Sequence, residues 1–161
     1  MILNSALNYS KINLGCGNNY KEGWCNVDIG SCRKDINHNL QIFPWPIPDN
    51  VADNIVAAHL IEHIEKKLVI PFMREVHRVL KPGGIIEIYC PYYLSKNAFT
   101  DFTHELFVTE DTFSYFCKGG KHRSYGKIYG IDFEFNEEHC GTYKEAPESN
   151  LDIYFRLAAI K

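Results

Sequence analysis

The sequence predicts an α/β fold, a mostly parallel sheet with an antiparallel pair closing one edge. Three observations carry this. Short apolar runs that end in Gly, Asp or His recur through the N-terminal half, and one amphipathic stretch lies between two of them. After the Gly119-Gly120 break the pattern changes to two segments that alternate apolar and polar residues in part. Strands alternating with turns and a helix, then a closing pair, form the order of a parallel sheet with an edge hairpin.

The elements follow in order. Lys11–Gly15 carries Ile12 and Leu14 and ends in Gly15-Cys16-Gly17, which reads as a buried strand entering a tight turn. Trp24–Ile29 repeats the pattern around Val27 and closes on Asp28 and Gly30. Only eight residues separate the two runs, fewer than the roughly 10–12 a helical crossover needs. Ile36–Ile42 alternates weakly and leaves a third strand poorly defined. Prolines at alternate positions in Phe43-Pro44-Trp45-Pro46-Ile47-Pro48 make Asp35–Asn50 a stiff, extended loop.

Asp53–His59 holds the continuous apolar run Ile55-Val56-Ala57-Ala58, the mark of a strand covered on both faces. From Lys66 to Leu80, Val69, Phe72, Met73, Val76, Val79 and Leu80 recur at helical spacing, which points Arg74, Glu75 and Arg78 toward water. Pro71 is expected at the first helical position, where its missing N–H costs nothing. Lys81-Pro82-Gly83-Gly84 stops the helix and Ile85–Cys90 begins the next strand. Tyr92–Thr109 is aromatic and polar without a period, and Thr109 is placed as the N-cap of a short helix carrying Phe113 and Phe116. Ile128–Phe135 and Leu151–Ile160 read as the closing strands.

With 161 residues and 45% hydrophobic composition, the chain is expected to form a single domain over 1–161. A formal charge of −3 gives no basic field for phosphate backbones, so nucleic acid is not expected as a partner. No run approaches the roughly 18 apolar residues that cross a bilayer, and Met1–Ser10 lacks the basic start and apolar stretch of a signal peptide. The expectation is a cytoplasmic protein without membrane association, whose six cysteines are free thiols.

In a parallel sheet, ligands bind beyond the carboxyl ends of the strands. The residues there are Gly15-Cys16-Gly17, Asp28 with Ile29, Asp35, His59-Leu60-Ile61-Glu62-His63 and Pro91-Tyr92-Tyr93. Gly15 and Gly17 allow a sharp turn and close backbone approach, and an acid at the tip of a second strand can accept both hydroxyl protons of a ribose. A lone Gly-x-Gly says little, but five segments taken together say more. They are Asn13-Leu14-Gly15-Cys16-Gly17, Asn26-Val27-Asp28, Pro46-Ile47-Pro48-Asp49-Asn50, Leu60-Ile61-Glu62-His63-Ile64 and Arg78-Val79-Leu80-Lys81-Pro82-Gly83-Gly84.

As a set they resemble the class I S-adenosylmethionine-dependent methyltransferases, in particular small members of the methyltransferase type 11 kind. The resemblance implies a Rossmann-like three-layer sandwich with S-adenosylmethionine as cofactor. It implies Gly15 and Gly17 against the methionine part, Asp28 at the ribose, Asp35 or its neighbour Ile36 at the adenine, and the His59 backbone at the amino-acid end, with Cys16 and Ile29 as further cofactor contacts. The usual third glycine is absent, since Asn18-Asn19-Tyr20 stands where a first helix would start. Less helix-dipole support for the cofactor carboxylate follows.

Methyl transfer to oxygen or nitrogen requires positioning and loss of a proton. His63 and His104 are the candidate catalytic bases, and Tyr92, Tyr93 and Phe102 the candidate acceptor-binding residues, in the long segment over the strand ends. The acceptor is expected to be a small molecule or glycan. Cys117, His122, His139 and Cys140 lack the paired spacing of a structural zinc site, so no residue is assigned to a metal. Two alternatives remain: a non-catalytic protein that binds S-adenosylmethionine or S-adenosylhomocysteine, and a nicotinamide-dependent oxidoreductase. The missing Gly-x-Gly-x-x-Gly argues against the latter.

Overall fold

The computed structural model describes residues 7–30, 33–145 and 150–161, with side chains from 135 to 150 left out. Cys32, most of the N-terminal segment considered for a signal peptide, and the side chains of His139 and Cys140 lie outside the described residues.

The strands are β1 (Lys11–Leu14), β2 (Cys25–Asp28), β3 (Ile36–Asn37), β4 (Ala52–Ala58), β5 (Leu80–Pro91), β6 (Cys117–Lys118), β7 (Asp132–Glu145) and β8 (Asn150–Ile160). They form an eight-stranded sheet in the order β3-β2-β1-β4-β5-β8-β7-β6. β3, β2, β1, β4 and β5 run parallel, and β8 is antiparallel to both β5 and β7. This is a Rossmann-like sheet closed by an antiparallel pair, as the sequence predicts, with β6 added in parallel outside β7. The order reverses between β1 and β4, which places the ligand crevice beyond their carboxyl ends.

Apolar periodicity explains the central strands. Ile12, Leu14, Val27, Ile55, Ala57, Ile86 and Ile88 are almost fully buried and form one cluster with Phe72, Met73, Val76 and Val79 of the helix α1 (Val69–Val79). Burying a side chain such as Phe72 contributes roughly 1.5–3 kcal/mol.

The structure departs from the sequence reading in several places. A single 3-10 turn, Lys66–Leu68, precedes α1, and Pro71 is its third residue rather than its first. Proline fits there because none of the first four N–H groups of a helix has an intrahelical acceptor. Glu75 is buried, not facing water: its carboxylate accepts from Trp45 N at 2.8 Å and from Arg78 Nη2 at 2.7 Å. The proline-rich loop is a packed element whose Trp45 and Ile47 are 3% exposed. Trp45 meets Phe72 edge to face at 5.2 Å and donates from Nε1 to Leu40 O at 3.0 Å. β5 already begins at Leu80, and the Pro-Gly-Gly segment forms an irregularity within it, where pairing with β4 shifts register. Thr109 caps no α-helix. Its N–H and hydroxyl bond to Thr112 Oγ1, and the turn carrying Phe113 is a 3-10 helix, Thr112–Tyr115.

Candidate functional site

Two cavities open beyond the carboxyl ends of the parallel strands. The first, about 170 Å³, is lined by Gly15 after β1, Asp28 and Ile29 after β2, His38–Gln41 after β3, and Leu60, His63 and Ile64 after β4. Gly15 has φ +62°, and a Cβ there would stand 2.9 Å from Leu60 Cδ1. Backbone conformation and available space therefore both demand glycine. Gly17, at φ +49°, donates its N–H to Asp28 Oδ2 at 2.9 Å, while Gly30 N–H donates to Oδ1 at 2.7 Å. These bonds hold the carboxylate at the strand tip.

No first helix follows β1. The segment after Gly17 is held instead by a buried polar cluster: Asn13 Nδ2 donates to Asn19 O and to Asn26 Oδ1, and Asn26 Nδ2 donates to Lys21 O, Trp24 O and Asp35 Oδ2. Asp35 belongs to this cluster, with Tyr20 Oη on its other oxygen at 3.0 Å, and does not line the cavity. β3 pairs Ile36 with Val27, so Asp35 lies level with Asn26, behind the strand tips. The expectation that Asp35 meets a ligand there is not matched: His38, Asn39, Leu40 and Gln41 form the wall of the cavity beyond β3. Cys16 is buried, with its Sγ 3.7 Å from Arg33 O, so only its backbone faces outward.

The second cavity is larger, about 570 Å³, lined by His59, Glu62, His63, Pro91, Asn97, Thr100, Asp101, Phe102 and His104. His63 lines both. A 3-10 turn, Ile61–His63, sets Glu62 and His63 at the mouth of β4. Glu62 O accepts from Glu105 N at 2.7 Å and from Leu106 N at 3.2 Å, which pulls the loop after β5 over the cavity. The rings of His63 and His104 thereby meet edge to face with centroids 4.8 Å apart.

Proton positions follow from the hydrogen bonds. Thr103 Oγ1 donates to Asp101 Oδ1 at 2.7 Å, because a carboxylate only accepts. Its lone pair then accepts from His63 Nδ1–H at 2.9 Å. His104 Nδ1–H donates to Ala98 O at 3.1 Å. In the tautomer that donates from Nδ1, each ring carries its lone pair on Nε2. Bonds from the Thr103 backbone and hydroxyl hold the Asp101 carboxyl below its usual range.

His59 has the left-handed φ of 51°, a strained conformation for a non-glycine residue. Its ring stands 3.3 Å from Glu62 on one side and 3.3 Å from Asp152 on the other, both acids being 2% exposed. Its side chain thus lines the second cavity, not the first. Of the three aromatic residues assigned to the acceptor, only Phe102 lines that cavity. Tyr92 is buried and gives its hydroxyl to Glu110, and Tyr93 packs edge to face on Tyr92. Of the cysteines expected as free thiols, Cys25 is buried and forms no disulfide, and burial pushes its thiol up to about 12. His122 stacks on Tyr115 at 4.9 Å.

Asn97, Thr100, Asp101 and the residues His38–Gln41 escaped the sequence reading, and Glu62 was placed at the strand end without a role. An acid embedded in the apolar Leu60-Ile61-Glu62-His63-Ile64 was the available sign for Glu62. The others lie in segments without periodicity.

A family model described as a methyltransferase domain matches residues 27–88. No curated protein matches. Among solved structures, a SAM-dependent methyltransferase from Archaeoglobus fulgidus superposes with TM-score 0.62 at 16% identity, over 92% of this chain and 85% of that one. An S-adenosylmethionine-dependent methyltransferase from Mesorhizobium loti gives TM-score 0.55 at 12% identity, over 98% and 94%. The Burkholderia thailandensis 1,6-didemethyltoxoflavin-N1-methyltransferase, solved with its substrate and S-adenosylhomocysteine, gives 0.62 at 9%, over 94% and 71%.

Proposed function

We propose that this chain, whose residues 27–88 match a methyltransferase-domain model, is a class I S-adenosylmethionine-dependent methyltransferase whose two adjoining cavities divide cofactor from acceptor and meet at His63. The shared residue is the observation that carries this reading.

The first cavity fits the cofactor by its chemistry. Asp28 is an anchored carboxylate suited to a vicinal diol, Gly15 leaves open backbone, and Leu40, Leu60 and Ile64 offer apolar surface to a flat base. When bound, S-adenosylmethionine supplies an electrophilic methyl on a sulfonium sulfur, which keeps the electron pair of the broken C–S bond. The second cavity takes the acceptor, a small molecule or glycan-type compound with a hydroxyl or amine. Its oxygen or nitrogen gives its proton to an Nε2 lone pair of the His63–His104 pair and takes the methyl. Asp101 and Thr103 orient His63, and the Ala98 carbonyl orients His104. Phe102 stands at the rim.

The test is release of S-adenosylhomocysteine in the presence of hydroxylated small molecules, sugars and amines. Turnover with a hydroxyl or amine acceptor that is lost in His104→Gln supports the assignment. Turnover confined to thiols or nucleic acids, or unchanged in His104→Gln, contradicts it.

A further inference from the structure

Glu62 is 2% exposed and lines the second cavity, yet neither of its carboxylate oxygens accepts a hydrogen bond. Among the described residues its ion-pair neighbour is His59, 3.3 Å away. Burying a carboxylate without hydrogen bonds costs several kcal/mol unless a countercharge arrives.

Donor atoms of Glu62, His63 and His104 lie within 4.8 Å of one another, the one such three-residue group among the described residues. Both histidines present Nε2 lone pairs and donate from Nδ1, His63 to Thr103 and His104 to Ala98 O. That is the outer-shell pattern that orients imidazole ligands toward a metal. Two imidazoles and one carboxylate form a recognised ligand set for zinc and neighbouring divalent transition metals that leaves coordination positions open. Ligands about 2.1 Å from a tetrahedral ion stand about 3.4 Å apart, so the three donors close by on the order of 1 Å on binding.

We infer that Glu62, His63 and His104 bind one divalent transition-metal ion, zinc or a chemical neighbour, whose open positions face the acceptor cavity. This deepens the acceptor-site reading: it rests on the placement of the acceptor in the second cavity, and it replaces the histidine base by the bound ion. It narrows the acceptor to a compound with a hydroxyl oxygen that enters an open position. In the loaded site both Nε2 lone pairs belong to the ion, so the hydroxyl proton leaves to solvent instead of to imidazole, and the cation stabilises the oxygen left behind.

The experiment is titration of the chelator-treated protein with cobalt(II), read by visible absorption, and with zinc by calorimetry, without cofactor or acceptor. A titration with S-adenosylhomocysteine reports separately on the first cavity and on folding. One equivalent per chain, with visible bands and at least tenfold weaker binding in Glu62→Gln and in His104→Gln, is the expected result. Thr103→Ala, which only loosens His63, is expected to weaken the metal about 10–100-fold with S-adenosylhomocysteine binding intact. No stoichiometric binding, or binding unchanged in both ligand variants, overturns the metal site. Loss of S-adenosylhomocysteine binding by the unaltered protein would instead strike the cofactor reading.

Discussion

The rings of His63 and His104 meet edge to face with centroids 4.8 Å apart, although one follows β4 and the other lies in the loop beyond β5. The junction depends on backbone bonds from Glu105 and Leu106 to the Glu62 carbonyl. If the two rings act as a unit, His63→Gln and His104→Gln each lower kcat about 10²–10⁴-fold. The double variant then falls no more than about tenfold below the worse single. Steady-state kinetics on the three variants checks this; multiplying losses would separate the two roles.

Gly15→Ala meets two obstacles, the left-handed φ of +62° and Leu60 Cδ1 at 2.9 Å. Destabilisation of about 1–3 kcal/mol is expected from the backbone conformation alone. S-adenosylhomocysteine binding should weaken as well. Adding Leu60→Ala relieves the clash and leaves the strain, so thermal unfolding of the double variant should not return to the parent midpoint.

Glu75 and Arg78 tie α1 to the proline-rich loop, with Trp45 N and Ile47 O as further partners. Glu75→Ala removes two bonds from the half-buried Arg78 guanidinium, which keeps Asp49 and Ile47 O, and leaves the Trp45 backbone N–H unsatisfied, a loss of about 1–3 kcal/mol in denaturant unfolding. Because Trp45 also holds Leu40 O, the same change should loosen the wall of the first cavity and weaken S-adenosylhomocysteine binding beyond the effect of a remote core substitution.

Burial pushes the carboxyls of Asp35 and Glu75 up. The hydrogen bonds from Asn26 and Tyr20, and from Arg78 and Trp45, outweigh it and hold both below their ordinary 3.8 and 4.5. A depressed folded value stabilises above the ordinary value and loses that contribution as pH falls through the folded one. Urea midpoints should therefore be flat near neutrality and drop as pH falls below about 4.5. Asp35→Asn should reduce the steepness of that fall.

The strands of the parallel sheet were legible because Ile12-Leu14, Val27, Ile55–Ala58 and Ile85–Cys90 are short buried runs with turn residues at their ends. Gly15 and Asp28 were legible as the strand tips those runs define. Asp35 was misplaced because the two-residue β3 carries too little pattern to fix its register, and one step along a strand separates tip from flank. Glu75 sits on the face that helical spacing assigns to water, and is buried because a loop from thirty residues upstream covers it with Trp45. Tyr92 points inward because a partner, Glu110, waits in an aperiodic segment. Contacts between loops leave no periodic trace, which is why the His63–His104 junction could be suspected residue by residue but not as a pair.

Calorimetric titration of the purified protein with S-adenosylhomocysteine, beside Asp28→Ala and a parallel titration with NAD, tests the central claim most directly. The account predicts micromolar binding of one equivalent, at least tenfold weaker in Asp28→Ala, and no binding of NAD. Failure to bind S-adenosylhomocysteine, or preference for NAD, would contradict it.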